Sequence, residues 1–193
     1  MRISEVLISK EEIHSICQRL GKQISQDYEG KEIVLICVLR GAIVFLADLM
    51  REIKVPCEID FMSVSSYTGT KSSGDVKIVK DLEDSIEGKH VIVVEDIIDS
   101  GLTLSHLLSL LKSRKPASLR LCTCFDKPDR RKTEVEVHYI GKQIPDEFIV
   151  GYGLDYNGHY RNLPDICILR LDEAEDSLGK EVNSTEEKVD ESK

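Results

Sequence analysis

No apolar stretch in this sequence reaches the roughly 20 residues needed to span a bilayer. The opening Met-Arg-Ile-Ser-Glu-Val carries no signal-peptide core. These absences lead us to expect a soluble, cytoplasmic protein with no membrane partner. Cys17, Cys37, Cys57, Cys122, Cys124 and Cys167 include no Cys-x-x-Cys pair. Cys122 and Cys124 share one strand face but have no histidine ligands nearby, so the thiols read as small core residues of a reducing compartment. His14, His90, His106, His138 and His159 are dispersed, without metal-ligand spacing. A Gly-x-Ser-x-Gly elbow, a Walker loop and a Gly-x-Gly-x-x-Gly fingerprint are all missing, as is any internal repeat.

What is present fits one globular domain with a real core, since 193 residues include 41% apolar and 32% charged side chains. The net charge of −9 is uneven. Residues 172–193 hold nine acids and three lysines, a net of −6 against −3 for everything before them. We expect an acidic, unstructured, solubilising tail there and a folded domain over residues 1–171. The acidic balance argues against nonspecific nucleic-acid binding.

Ile13, Ile16, Cys17, Leu20 and Ile24 recur at helical spacing and predict a helix from about residue 10 to 27. The apolar run within Lys31–Leu39 predicts a strand covered on both faces. A second helix is expected over about 42–53, and strands near 57–66 and 76–79. Between those strands, Ser65–Gly74 is polar and reads as a long loop, a candidate lid. Further strands are expected at 89–95, 119–125, 135–140 and 148–150, with a leucine-striped helix at 102–114. Alternating strands and helices predict an α/β fold with a mostly parallel sheet flanked by helices. The last fifty residues of the folded part depart from that alternation and predict a small cap.

The most informative stretch is Val91–Leu104. Four apolar residues run into Glu95 and Asp96, two isoleucines follow, then Asp99 and the turn Ser100-Gly101-Leu102-Thr103. A buried strand thus ends in a polar loop at a helix N-terminus, where open α/β sheets bind ligands. Backbone N–H groups with the Ser100 and Thr103 hydroxyls suit a phosphate. The carboxylates suit vicinal hydroxyls or a cation, so a sugar phosphate fits. One acid is explained as a helix cap; three acids beside Ser-Gly-x-Thr ask for more.

Other residues leave two readings open. Arg40-Gly41, at the end of a buried strand, either holds an anion or makes a solvent-facing turn, and the tripeptide Leu39-Arg40-Gly41 alone favours the turn. Lys127 either donates to a ligand carbonyl or is a surface lysine. Phe148 either stacks on a flat ring or belongs to the core. Asp155, in the glycine-rich Gly-Tyr-Gly-Leu-Asp-Tyr-Asn, either helps hold a hard cation or is a turn residue.

Taken together, Val93–Thr103, Leu39-Arg40-Gly41, Ser66-Tyr67, Asp126-Lys127-Pro128 and Pro145–Tyr156 resemble the hypoxanthine-guanine phosphoribosyltransferases from about residue 5 to 170. The resemblance implies the type I phosphoribosyltransferase fold, with a small hood built from the N-terminal segment and about 140–171. It implies a glycosyltransferase of purine salvage that uses Mg²⁺. Phosphoribosyl pyrophosphate with hypoxanthine or guanine would give IMP or GMP and pyrophosphate. Glu95 and Asp96 would bind the ribose hydroxyls, directly or through a magnesium's waters, and Asp155 would ligate a second magnesium. Asp99, Ser100, Gly101, Leu102 and Thr103 would hold the 5′-phosphate, with Asp99 also the general base near N7 of the purine. Lys127 would bind the purine O6, Phe148 stack on one ring face, Ile97 pack on the other, and the Ile149 backbone contact the base edge. Arg40 and Gly41 would form the pyrophosphate loop, with a cis peptide before Arg40, and Arg161 would join that site. Tyr67, in a lid of 66–74, would close over the substrates, and the protein would be a homodimer or homotetramer.

The chemistry coheres. Breaking the glycosidic C–O bond leaves positive charge on the ribose, so water must be kept out. Two rivals remain. One is a regulatory protein on the same fold that binds nucleic acid, which would need a basic surface. The other is an enzyme for another base. Lys127 as a donor disfavours adenine, while xanthine is decided by contacts around Ile149.

Overall fold

The computed structural model describes residues 2–66 and 76–170. Tyr67–Gly74 of the expected lid and the acidic tail lie outside the described residues.

Strand β1 (Arg2–Ile8) leads into helix α1 (Lys10–Asp27). The Ser9 hydroxyl accepts from the Glu12 N–H, and Glu11 and Glu12 complement the positive end of the helix. The predicted stripe of Ile13, Ile16, Cys17, Leu20 and Ile24 is the buried face. Next come β2 (Ile33–Leu39), α2 (Ile43–Glu52), β3 (Cys57–Ser66), β4 (Val76–Lys80), β5 (His90–Ile98), α3 (Leu102–Ser113), β6 (Ser118–Asp126), β7 (Tyr139–Gln143), β8 (Ile149–Val150) and β9 (Ile166–Arg170).

The main sheet has six strands in the order β4-β3-β2-β5-β6-β7, parallel except for β4. Its central strands are apolar on both faces because helices cover both. Ile33, Leu35, Cys37, Ile92 and Val94 meet α1 and α2, while Val34, Ile36, Val38, Val91 and Val93 meet α3. Gly21 lets α1 approach α2 closely, since a Cβ there would stand 2.5 Å from that of Glu52. A second, antiparallel sheet, β1-β9-β8, joins the N-terminal segment to residues 149–170.

Two predicted boundaries are corrected. Strand β5 continues to Ile98, because Ile97 and Ile98 still pair with Phe125 and Asp126. Asp96 therefore sits within the strand rather than beyond it, and Glu95 is no longer its last residue. The strand expected at 135–140 begins only at Tyr139. Val135 and Val137 owe their alternation to packing against the α3 side of the core. The chain before them is tied elsewhere, with Lys132 N–H and Thr133 N–H both donating to the Ser100 carbonyl. Sequence reading also gave no strand at Arg2–Ile8, whose partner β9 is far away in the chain.

Candidate active site

The parallel strands β2, β5 and β6 end on one edge, and their C-terminal loops assemble two adjoining cavities there. One, of about 290 Å³, is lined by Leu39, Glu95, Asp99, Ser100, Gly101 and Thr103. The other, of about 490 Å³, is lined by Lys127, Arg130, Phe148, Ile149, Asp155 and Arg161, with Asp96 on its wall. Ile97 and Asp99 line both.

The turn between β5 and α3 is built for close backbone approach. Gly101 is the N-cap with φ +79°, a left-handed conformation open to glycine. A Cβ there would stand 2.8 Å from the Thr133 carbonyl oxygen. The N-cap Gly101 has no side chain to offer α3, and the Leu102 N–H donates to the Ser100 hydroxyl at 3.4 Å, while the first-turn N–H groups have no partner within the helix. The Ser100 carbonyl, held by the N–H groups of Lys132 and Thr133, fixes the turn from behind. A turn of this kind at a helix N-terminus can cradle an anion.

Glu95 and Asp96 are partly buried, and among the described residues neither joins a salt bridge. Desolvation raises Glu95 well above the usual carboxylate range, and the neighbouring Asp96 raises it further. Desolvation likewise raises Asp96, opposed by hydrogen bonds from Glu95 and the Ile97 N–H, the latter 2.7 Å long, and by the positive charge of Arg161. Gly41 lies directly against Asp96: a Cβ on it would fall 1.5 Å from Asp96 Oδ2. The Leu39–Arg40 peptide is cis, and Arg40 is exposed.

Asp99 and Asp155 differ in kind, because each already faces an arginine. Arg130 Nε stands 2.7 Å from Asp99 Oδ1. The two groups form an ion pair, and Arg130 also reaches Asp146. Arg161 Nη2 stands 2.6 Å from Asp155 Oδ1, and Gly158 N–H donates to Asp155 Oδ2 at 2.7 Å.

Burial resolves two of the open readings. Lys127 is only 8% exposed and donates from Nζ to the Glu147 carbonyl at 2.6 Å, so it is not a surface lysine. Phe148 is 52% exposed, which removes it from the core. Its ring meets Tyr156 edge-on at 5.5 Å, and the residue lines the larger cavity. Ile149 is buried in β8.

The structure thus brings Glu95, Asp96, Ile97, the 99–103 turn, Lys127, Phe148, Ile149, Asp155 and Arg161 around one pair of cavities, with Arg40 and Gly41 beside Asp96. Ser66 ends β3. Sequence reading overlooked Arg130, which bridges Asp99 and Asp146, and Arg131, paired with the buried Asp126. The arginine pair directly after Lys127-Pro128-Asp129 was the available signal.

No group of three or more His, Cys, Asp or Glu side chains converges on one point among the described residues. A hard cation such as Mg²⁺ is usually held by one or two carboxylates together with substrate oxygens and water. Glu95 and Asp96 meet this description. Asp155 would do so only by sharing oxygens now turned to Arg161 and Gly158.

Comparison with known proteins points to one family. A family model described as the phosphoribosyl transferase domain matches residues 9–157. The hypoxanthine-guanine phosphoribosyltransferase of Staphylococcus aureus is 51% identical over 169 residues, covering 87% of this chain and 94% of that protein. A crystal structure of a hypoxanthine-guanine phosphoribosyltransferase from Bacillus anthracis superposes with a TM-score of 0.85 at 52% identity, covering 88% of this chain and all of the other. The hypoxanthine phosphoribosyltransferase of Trypanosoma cruzi, in complex with the product IMP, superposes at 0.83 with 41% identity, covering 87% of this chain and 95% of that one.

Proposed function

The chain belongs to the phosphoribosyltransferase family, and from that premise we propose how its site moves the 5-phosphoribosyl group from phosphoribosyl pyrophosphate to hypoxanthine or guanine. The protein is a purine salvage glycosyltransferase of the hypoxanthine-guanine branch.

The 99–103 turn holds the 5′-phosphate on its N–H groups and hydroxyls. Glu95 and Asp96 hold the ribose hydroxyls beside it. Arg40, the Gly41 backbone and Arg161 face the pyrophosphate. Phe148 and Ile97 sandwich the purine, Lys127 donates to O6, and the Ile149 backbone meets the base edge. Mg²⁺, when bound, supplies positive charge to the pyrophosphate oxygens; Glu95 and Asp96 are the residues suited to hold it, with Asp155 the candidate for a second ion.

Reaction forms the bond from purine N9 to ribose C1′ as the bond from C1′ to pyrophosphate oxygen breaks. Positive charge gathers on the ribose, and the departing electron pair stays with pyrophosphate. The purine must lose a proton, and Asp99 takes it near N7. The observation that carries this reading is the position of Asp99. It is held by Arg130 Nε at 2.7 Å and stands on the wall shared by the sugar-phosphate and purine cavities.

Residues 66–74 are the proposed lid against water, with Tyr67 closing it. A homodimer or homotetramer is the assembly we propose, checked by sedimentation. Among the described residues no helix is long and apolar enough to cross a membrane, and we place the protein in the cytoplasm.

The test is turnover of purified protein with phosphoribosyl pyrophosphate, Mg²⁺ and hypoxanthine, guanine, xanthine or adenine in turn, scoring nucleotide and pyrophosphate. Turnover with hypoxanthine or guanine is expected. No turnover with any base, from folded protein that binds IMP, would contradict the reading and favour a regulatory protein.

A further inference from the structure

Gly151, Tyr152 and Gly153 all have positive φ, at +101°, +47° and +97°. Glycine adopts this conformation freely, but a tyrosine held there is strained. The two glycines are explained by crowding. A Cβ on Gly151 would stand 2.1 Å from the Asp165 carbonyl oxygen, and one on Gly153 would stand 2.1 Å from the Gly41 carbonyl oxygen. The tyrosine between them is 6% exposed. Its hydroxyl donates to Asp48 Oδ2 at 2.7 Å and lies 3.6 Å from Cys17 Sγ.

These contacts join two parts of the site that are distant in sequence. Asp48 lies on α2, the helix that opens directly after the Arg40–Gly41 turn. Gly153 N–H donates to the Arg161 carbonyl at 3.0 Å, and Arg161 Nη1 donates to the Gly153 carbonyl at 2.6 Å. Gly41 is therefore wedged between the Asp96 carboxylate and Gly153, while Tyr152 fastens the same loop to the helix behind Gly41. The other ends of the site have separate anchors. The Ser100 carbonyl is held by Lys132 and Thr133, and Lys127 by the carbonyls of Ile98 and Glu147.

We propose that Tyr152 is a positioning residue for the pyrophosphate end of the site. Through its hydroxyl on Asp48 it sets the Arg40–Gly41 turn against the Asp155–Arg161 pair. It leaves purine and 5′-phosphate binding to their own anchors. This inference rests on the functional reading above, which gives Arg40, Gly41 and Arg161 to pyrophosphate.

The test is Tyr152→Phe, assayed forward with phosphoribosyl pyrophosphate and hypoxanthine and in reverse with IMP and pyrophosphate. KM for phosphoribosyl pyrophosphate and for pyrophosphate should rise about tenfold, the scale of one lost hydrogen bond to a charged group. KM for hypoxanthine and the dissociation constant for IMP should stay unchanged. Asp48→Ala should give the same selective loss, and adding it to Tyr152→Phe should cost nothing more. Asp48→Asn, which keeps an acceptor oxygen, should retain most of the wild-type affinity. Asp48→Ala and Asp48→Asn carry the test if Tyr152→Phe fails to fold. Equal losses for all ligands, additive losses in the double variant, or unchanged pyrophosphate affinity in folded protein would overturn the inference. Wild-type turnover is measured alongside. Its absence would remove the functional reading and this inference with it, whereas normal wild-type turnover with an unselective variant overturns this inference alone.

Discussion

Among the described residues Glu95 and Asp96 join no salt bridge, whereas Asp99 and Asp155, on the loops beyond, are each in contact with an arginine. The first pair sits within β5 at the centre of the sheet, where desolvation and mutual repulsion raise Glu95 well above its usual range. The second two lie where side chains from later loops can reach them. The difference assigns tasks. Partly buried acids that join no salt bridge suit the proposed cation and sugar hydroxyls, which would relieve both the desolvation and the repulsion. Acids that already face arginines are held in position, ready to exchange a partner when substrate enters.

Removing the proton acceptor should do most damage. Asp99→Asn should lower kcat by a factor on the order of 10²–10⁴, the usual worth of a positioned general base, with steady-state KM for phosphoribosyl pyrophosphate nearly unchanged. Next comes the cation-poised pair. Glu95→Gln with Asp96→Asn should weaken binding of phosphoribosyl pyrophosphate by about 10- to 100-fold, the scale of lost hydrogen bonds to charged groups, and should blunt the dependence on Mg²⁺ seen by calorimetry. Phe148→Leu should raise KM for hypoxanthine by about three- to tenfold, the worth of an aromatic stacking contact, and leave phosphoribosyl pyrophosphate alone.

The smallest effect concerns pH and the free protein. Because Glu95 binds its proton more tightly folded than unfolded, the folded state holds more protons at pH values between the ordinary 4.5 and the raised value. The stability contributed by its protonated form is full below 4.5 and is lost as pH rises through the raised value. Thermal midpoints of the free protein should therefore fall across that window. Glu95→Gln should flatten the slope, and Mg²⁺ with phosphoribosyl pyrophosphate should recover the wild-type midpoint.

Legibility followed locality. The β2 run, the α1 stripe and the β5-to-α3 stretch were readable because each encodes its own burial or turn within a few residues. Strand β1 was not, since its pairing with β9 is invisible in its own pattern. Val135 and Val137 alternate like a strand while packing against the α3 side of the core, before β7 begins at Tyr139. Phe148 sits in an apolar triplet yet turns outward, because only Ile149 and Val150 enter β8. The pairing of Arg130 with Asp99 and of Tyr152 with Asp48 depends on loops meeting in space. No spacing rule reaches that far.

The most direct test of the division between the two kinds of acid is one rapid-quench experiment. Wild type, Asp99→Asn and the Glu95→Gln/Asp96→Asn variant are each taken through a single turnover at several concentrations of phosphoribosyl pyrophosphate. The account predicts that Asp99→Asn slows the chemical step with unchanged affinity, and that the double variant loses affinity first. A chemical step of wild-type speed in Asp99→Asn, or the same loss of affinity in both variants, would contradict it.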